Sequence, residues 1–182
     1  MPGRARRADA RDNHALLLAA AKEVFAEDGP DAPLDRIARR AGIGNATMYR
    51  HFPSRRELVT AVYADEVASL SSRARLEAAD PGAELFAWLG LFVEHVRDKR
   101  ALALSLTTPA GDHETLFARW HETVNETAAA LVDRAKAAGA VEPDTDALDL
   151  LLLGTGIALA NAPARTDRLL TLVRRGVTPP TP

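Results

Sequence analysis

The strongest constraint on the fold is the spacing of the apolar residues, which recur at steps of three and four along almost the whole chain. Residues at these steps share one side of an α-helix, whereas a half-buried strand alternates apolar and polar residues. No segment of this sequence alternates in that way, and aromatic residues make up only 5% of it. The sequence therefore predicts an all-α fold.

Glycine, proline and helix-capping residues divide this pattern into about nine predicted helices. Ser54 and Glu57 have the spacing of a capping box, which makes Ser54 the clearest helix start in the chain. Gly42 and Pro53 are predicted to end the second and third helices. The predicted helices cover residues 13–27, 33–41, 45–52, 54–80, 81–98, 100–108, 112–138, 144–161 and 164–176.

The charge is distributed unevenly along the chain. Residues 1–60 contain 11 Lys and Arg against 8 Asp and Glu, and the rest contain 12 against 17, which gives net charges of +3 and -5. This favours a local nucleic-acid contact near the N-terminus. The absence of cysteine excludes a disulfide framework and a thiolate metal site. Because Lys22 and Glu23 interrupt the first apolar stretch, we predict no signal peptide or membrane span and a cytoplasmic protein.

Residues 33–58 have the spacing of a helix-turn-helix. Ala38 is small enough for two helices to cross closely, Gly42 can make the turn four residues later, and Met48 can close the pair after six more. The alternative is a chance pattern in an ordinary helical core. The polar and aromatic run at 49–54 favours the helix-turn-helix over that alternative.

The opposite flank of the predicted third helix carries side chains that suit DNA. Asn45 can pair with an adenine edge, Thr47 can bind a phosphate or a thymine methyl group, and Tyr49 can reach a phosphate. Ser54 caps a helix whose free backbone N–H groups can bind another phosphate. The predicted DNA-binding residues are Arg36, Asn45, Ala46, Thr47, Tyr49, Arg50, His51 and Arg55.

These segments resemble a known signature. Residues 37–44 and 47–55, followed by Glu57 and Leu58, are similar to the DNA-binding region of the TetR family of bacterial transcriptional regulators. The resemblance covers about the first 60 residues and implies a homodimer with a recognition helix. The chain departs from the family pattern where Pro33 opens the second helix in place of a Ser or Thr. The residues that the resemblance places in the DNA contact are Asn45, Ala46, Thr47, Tyr49, His51 and Arg55.

Two helical stripes of large residues in the C-terminal part are candidates for a ligand cavity. The alternative is that both stripes belong to the ordinary core, which is the more common role of such residues. His113 and His121 are eight residues apart and lack the i, i+4 step of a helical zinc site, so we predict no metal and no cofactor. The candidate ligand residues are Trp88, Phe92, His95, Phe117, Trp120 and His121.

Residues 147–160 are apolar nearly all round, and a leucine-rich segment follows. Asp149 and a length of about 14 residues make this run unsuitable as a membrane span. Gly154 and Gly156 allow close helix approach, which favours a two-fold interface over burial within one chain, although that alternative stays open. The predicted interface residues are Leu148, Leu152, Ile157, Leu169 and Leu172.

These features predict a homodimeric repressor that a small-molecule effector releases from double-stranded operator DNA. An activator, an all-helical enzyme and a helical adaptor protein are the alternatives, and no residue spacing favours an enzyme. The N-terminal arginines either reach a minor groove or belong to a solvated tail. The predicted divisions are a flexible basic arm at 1–11, a helix-turn-helix domain at 12–55, a helical ligand-binding and dimerisation domain at 56–176 and a flexible tail at 177–182.

Overall fold

The computed structural model describes residues 2–106 and 113–180, and the side chains of residues 12–106 and 120–180. Within these ranges the chain forms nine α-helices and no strand, as predicted. A short 3-10 helix, Pro163–Arg165, precedes the last of them. The α-helices are α1 Pro2–Asp28, α2 Leu34–Arg40, α3 Asn45–His51, α4 Arg55–Ser72, α5 Pro81–Asp98, α6 Arg100–Leu106, α7 His113–Ala137, α8 Ala147–Leu159 and α9 Thr166–Val177.

The first helix is longer than predicted at its N-terminal end. α1 includes residues 2–11, which were predicted to form a flexible arm. After Gly3 this segment contains only alanine, arginine and aspartate. Alanine and arginine are strong helix formers, and neither glycine nor proline interrupts the backbone hydrogen bonds there. At the other end of the chain, α9 includes Val177, the first residue of the predicted tail.

The caps of the helix-turn-helix differ in detail from the prediction. Gly44, not Asn45, is the N-cap of α3, and its carbonyl accepts the backbone N–H groups of Thr47 and Met48 at 2.9 and 3.0 Å. Asn45 is therefore the first residue inside the helix. Gly42 has a φ of +68°, which confirms the left-handed turn predicted there.

The fourth helix ends eight residues earlier than predicted, at Ser72 instead of residue 80. The cause is a contact that is distant in sequence. The carboxylate of Glu84, which is 4% exposed, accepts the backbone N–H of Arg75 at 2.9 Å and its guanidinium Nε at 2.9 Å. These bonds hold the chain between α4 and α5 in a non-helical path.

The described helices form two compact units. The first contains α1 to α3, the part of α4 up to Asp65, and α6 from Ala101, and the second contains α4 from Glu66 together with α5 and α7 to α9. In the first unit, α1 to α4 each contribute fully buried side chains to one core. Members of this core are Leu17, Ala21, Val24, Ile37, Ala38, Met48, Leu58 and Val62.

The second unit is built around α5, which contacts α7, α8 and α9. Leu85, Trp88 and Val93 of α5 are almost completely buried. Gly154 lets α8 approach closely, since a Cβ atom there would lie 3.1 Å from Cδ1 of Phe92. The interior of this unit is therefore densely filled along α5 and α8.

Candidate nucleic-acid interface

Helix α3 has a buried side and an exposed side. Met48 is fully buried, whereas its neighbour Tyr49 is 46% exposed. Asn45, Ala46 and Arg50 are also exposed, and Thr47 is half-buried. Together with His51, six of the eight predicted DNA-binding residues thus lie on a helix of seven residues. This is the size and presentation required of a helix that enters a major groove.

Asn45 is oriented by the preceding helix. Its Nδ2 donates a hydrogen bond of 3.0 Å to Oδ1 of Asp35 in α2. A side-chain amide has a second N–H donor and a carbonyl acceptor. Asn45 can therefore keep this contact and still present a donor and an acceptor to a base edge.

Arg50 and Thr47 form a local pair on α3. The Arg50 guanidinium donates through Nη2 to the Thr47 hydroxyl at 2.7 Å and through Nε to the Ala46 carbonyl at 3.3 Å. These bonds hold the positive charge close to the helix surface. A phosphate approaching this side would meet the charge and the hydroxyl together.

Arg55, at the start of α4, has a structural role that the sequence did not reveal. Its Nη1 donates to the carbonyl of Pro30 at 2.9 Å and to that of Ala32 at 2.6 Å. These bonds fix the loop between α1 and α2 against the start of α4. The phosphate contact predicted for Arg55 stays a prediction, and the residue also stabilises the domain.

Arg36 is held in ion pairs with the end of α1. It contacts Asp28, and its Nη2 lies 2.6 Å from Oε2 of Glu27. Arg40 also binds Glu27, and its hydrogen bonds and positive charge lower the pKa of that carboxyl group, with a smaller contribution from Arg36. A phosphate must therefore compete with carboxylates for Arg36, which makes it a weaker candidate than Arg50.

His51 and His14 bring the first and third helices together at the C-terminal end of α3. The ring centroid of His14 lies 4.9 Å from that of Phe52 and 6.2 Å from that of His51. His51 is half-buried, while His14 is exposed. His14 was not among the predicted DNA-binding residues, although the helical steps from His14 to Leu17 and Ala21 place it on the inner side of α1.

The first predicted ligand stripe lies mainly in the core of the second unit. Trp88 is 1% exposed and donates through Nε1 to the carbonyl of Leu70 at 3.1 Å. Phe92 is 8% exposed, and its ring stacks on that of Trp88 at a centroid distance of 6.1 Å. Both residues are thus accounted for by packing, which favours the core alternative for them.

The remaining candidates for a ligand site have mixed surroundings. His95 is half-buried, and its burial lowers the pKa of its imidazole; the charge of Glu66 opposes this shift, and the charge of Lys99 adds to it. Trp120 is half-buried and His121 is exposed, while Phe117 lies outside the residues whose side chains are described. A groove of about 560 Å³ lies elsewhere in this unit, between residues 142–150 and the end of α9.

An apolar surface extends over α8 and α9. Leu148, Leu152 and Leu172 are 54%, 61% and 52% exposed, and Ile157 and Leu169 are half-exposed. The opposite side of α8, which includes Leu150, Leu151 and Ala158, is buried. Of the five predicted interface residues, three are thus well exposed and two are partly exposed, and exposed apolar side chains of this kind are available to a partner.

Both the N-terminal and the C-terminal part of the chain match families of known proteins. Residues 17–62 match the sequence profile of the bacterial regulatory proteins of the tetR family, and residues 80–179 match that of the C-terminal domain of SbtR-like transcriptional regulators. The chain belongs to the TetR family. Members of this family are transcriptional regulators and not enzymes, which confirms the corresponding prediction.

Solved structures of TetR regulators match almost the whole chain. SCO0520 from Streptomyces coelicolor is 35% identical, with a TM-score of 0.79 over 92% of this chain and 99% of that one. A TetR regulator from Mycobacterium vanbaalenii is 32% identical, with a TM-score of 0.77 over 95% and 99%. These similarities confirm the predicted fold and family.

A curated relative matches about a third of the chain. The HTH-type transcriptional regulator TtgW of Pseudomonas putida is 43% identical over 58 residues, which are 31% of this chain and 43% of that protein. The chain therefore spans less than half the length of this relative. In the described ranges, no helix has the length and apolar character needed to cross a membrane, and no cluster of three or more potential metal ligands occurs.

Proposed function

We propose that this TetR protein is a sequence-specific DNA-binding transcriptional regulator that acts in the cytoplasm as a homodimer. The main support for this proposal is that α3 has one buried and one exposed side. Met48 is buried, whereas Asn45, Tyr49 and Arg50 are exposed. Two copies would place their α3 helices in successive major grooves of an approximately palindromic operator.

The α3 side chains divide between base and phosphate contacts. Asn45, held by Asp35, is suited to read an adenine through its free N–H and its carbonyl oxygen. Tyr49, Ala46 and Thr47 contact neighbouring base edges or methyl groups. Arg50 neutralises a phosphate from beside the Thr47 hydroxyl.

The exposed leucines of α8 and α9 support a homodimer. A side chain such as Leu152, 61% exposed, is stabilised when a second copy covers it. A two-fold axis brings the same surface of each copy together, so one apolar patch is sufficient for both partners.

We further propose that the protein represses transcription and that a small-molecule effector releases it from DNA. α4 supports this mechanism, because one continuous helix, Arg55–Ser72, belongs to both units. An effector that binds the second unit can bias α4 and so change the distance between the two α3 helices. A preference of about 100-fold for the DNA-incompetent form, roughly 2.7 kcal/mol, weakens repression substantially.

The deciding experiment is selection of bound duplexes from random DNA by the full chain at 0.1 M salt. We expect enrichment of one approximately palindromic sequence. Tyr49→Ala should remove the preference for that sequence, while Tyr49→Phe should retain most of it, because the ring that contacts the base edges is preserved. The proposal fails when no sequence is enriched, or when Tyr49→Ala selects the same sequence with equal affinity.

A further inference from the structure

Three arginines of α1 share one side of the helix. Because an α-helix turns by about 100° per residue, the positions of Arg4, Arg7, Arg11 and His14 fall within an arc of roughly 80°. We call Arg4, Arg7 and Arg11 the basic stripe. Asp9 and Asp12 lie roughly 120° to 180° away from the centre of this arc. The positively charged positions of the stripe thus lie on a different side of α1 from the negatively charged positions of Asp9 and Asp12.

His14 lies on this side of α1 and contacts the end of α3. Its ring contacts His51 and Phe52, at the C-terminal end of α3. The basic stripe continues from His14 along the same side of α1, and Arg4 lies about 15 Å further along the axis at 1.5 Å per residue. By helical register, the positions of the stripe therefore continue along the side of α1 that carries His14.

The helical conformation decides which part of DNA this segment can reach. A minor groove of ordinary width is about 6 Å wide, whereas a helix with its side chains is about 10–12 Å across. An extended arm fits such a groove, but a helix does not. Phosphate oxygens on the rim of the groove remain accessible to a helix that lies along the backbone.

We infer that the first three turns of α1 form a second DNA contact, in which the basic stripe binds backbone phosphates beside the site occupied by α3. This inference rests on the proposed function, since it assumes that α3 faces a duplex. The contact adds affinity for any double-stranded sequence without changing which sequence is preferred.

The test measures the affinity of the full chain for its selected duplex and for an unrelated duplex between 0.05 and 0.3 M salt. Replacing all three stripe arginines by alanine should weaken binding to both duplexes alike, by about tenfold or more at 0.15 M salt. The slope of log affinity against log salt should fall by up to about 5, since each of six phosphate contacts in a dimer contributes about 0.9. The preference between the duplexes should be unchanged.

Arg6 provides a matched control, because it lies roughly 120° from the centre of the stripe. Arg7→Ala should weaken binding more than Arg6→Ala, and Arg7→Lys should restore most of the salt slope. Equal losses from Arg6→Ala and Arg7→Ala would overturn the inference, as a disordered basic tail predicts that result. An unchanged slope in the triple variant, or a loss confined to AT-rich duplexes, would also overturn it. Failure of the proposed function is seen separately, as the absence of any preferred duplex for the unmodified chain.

Discussion

The side of α3 that faces solvent and the exposed surface of α8 and α9 differ in chemistry. On α3, polar groups already have partners in the free chain, such as Asp35 for Asn45 and Thr47 for Arg50. On α8 and α9, leucines such as Leu152 and Leu172 are more than half exposed. The polar surface of α3 is stable in water and can exchange its hydrogen-bond partners. Exposure of the leucines of α8 and α9 to water is unfavourable, and a partner that covers them stabilises the protein.

This difference indicates two kinds of binding. The α3 surface is suited to a reversible, salt-sensitive contact with a polyanion, because its hydrogen bonds in the free state offset part of those formed with DNA. The surface of α8 and α9 is suited to a lasting contact with another apolar surface.

The largest effect is expected from Leu152→Glu. If a second copy covers α8, the substitution buries an unpaired charge from each partner, at a cost of about 3–5 kcal/mol apiece. The dissociation constant of the dimer should rise at least about a thousandfold, and analytical ultracentrifugation should show monomers at micromolar concentration. DNA affinity should fall with it, because each monomer has only one α3 helix.

Leu76→Glu is the control for this substitution. Leu76 is 40% exposed in the connection between α4 and α5, away from α8 and α9 in sequence. This variant should remain a dimer. If Leu152→Glu sediments as the unmodified protein does, the surface of α8 is not the dimer interface.

The second prediction compares neighbouring residues of α3. Met48→Ala removes a fully buried side chain and should lower the free energy of unfolding by about 2–5 kcal/mol. Tyr49→Ala changes an exposed residue and should alter that free energy by no more than about 0.5 kcal/mol. Urea denaturation measures both. A loss for Tyr49→Ala as large as that for Met48→Ala would mean that Tyr49 belongs to the core.

The helix-turn-helix was predictable because its constraints are local. Gly42 is required for a left-handed turn, and Ala38 and Met48 stand at fixed steps from it. The exposure of apolar side chains on α8 was predictable for a similar reason. A helix that is apolar on every side cannot be covered by one neighbouring helix.

Features that depend on distant contacts could not be read from the sequence. The end of α4 at Ser72 depends on the buried carboxylate of Glu84, and periodicity alone continued that helix to residue 80. The bonds of Arg55 to the carbonyls of Pro30 and Ala32 join residues more than twenty positions apart. No spacing rule connects such partners, so the sequence suggested only a phosphate contact for Arg55.

A third prediction concerns Arg55, whose effect should be smaller than that of Met48→Ala. Arg55→Ala removes two charge-assisted hydrogen bonds from a partly buried site and should lower the free energy of unfolding by about 1–2 kcal/mol. Arg39→Ala, at an exposed position of α2, should leave the stability nearly unchanged. If Arg55→Ala weakens DNA binding without changing stability, its bonds to the loop contribute nothing measurable.

The smallest effect is expected at His95, in the second unit. Burial lowers the pKa of its imidazole below the ordinary value of 6.5, despite the opposing charge of Glu66. The unfolded chain therefore binds a proton more readily than the folded chain as the pH falls through 6.5, and stability is lost until the folded-state pKa is passed. Above that window His95 is neutral in both states and contributes no pH dependence.

His95→Gln removes this titration, so the melting temperature of the variant should fall less between pH 7.5 and pH 5 than that of the unmodified protein. His121→Gln, an exchange at an exposed position of α7, should not reduce the fall. Because dimer formation by α8 and α9 is attributed to apolar contact, the dimer should persist over this range while the melting temperature changes. Dissociation at pH 5 in the unmodified protein but not in His95→Gln would show that a titrating group controls the apolar interface, contrary to the contrast between the two surfaces.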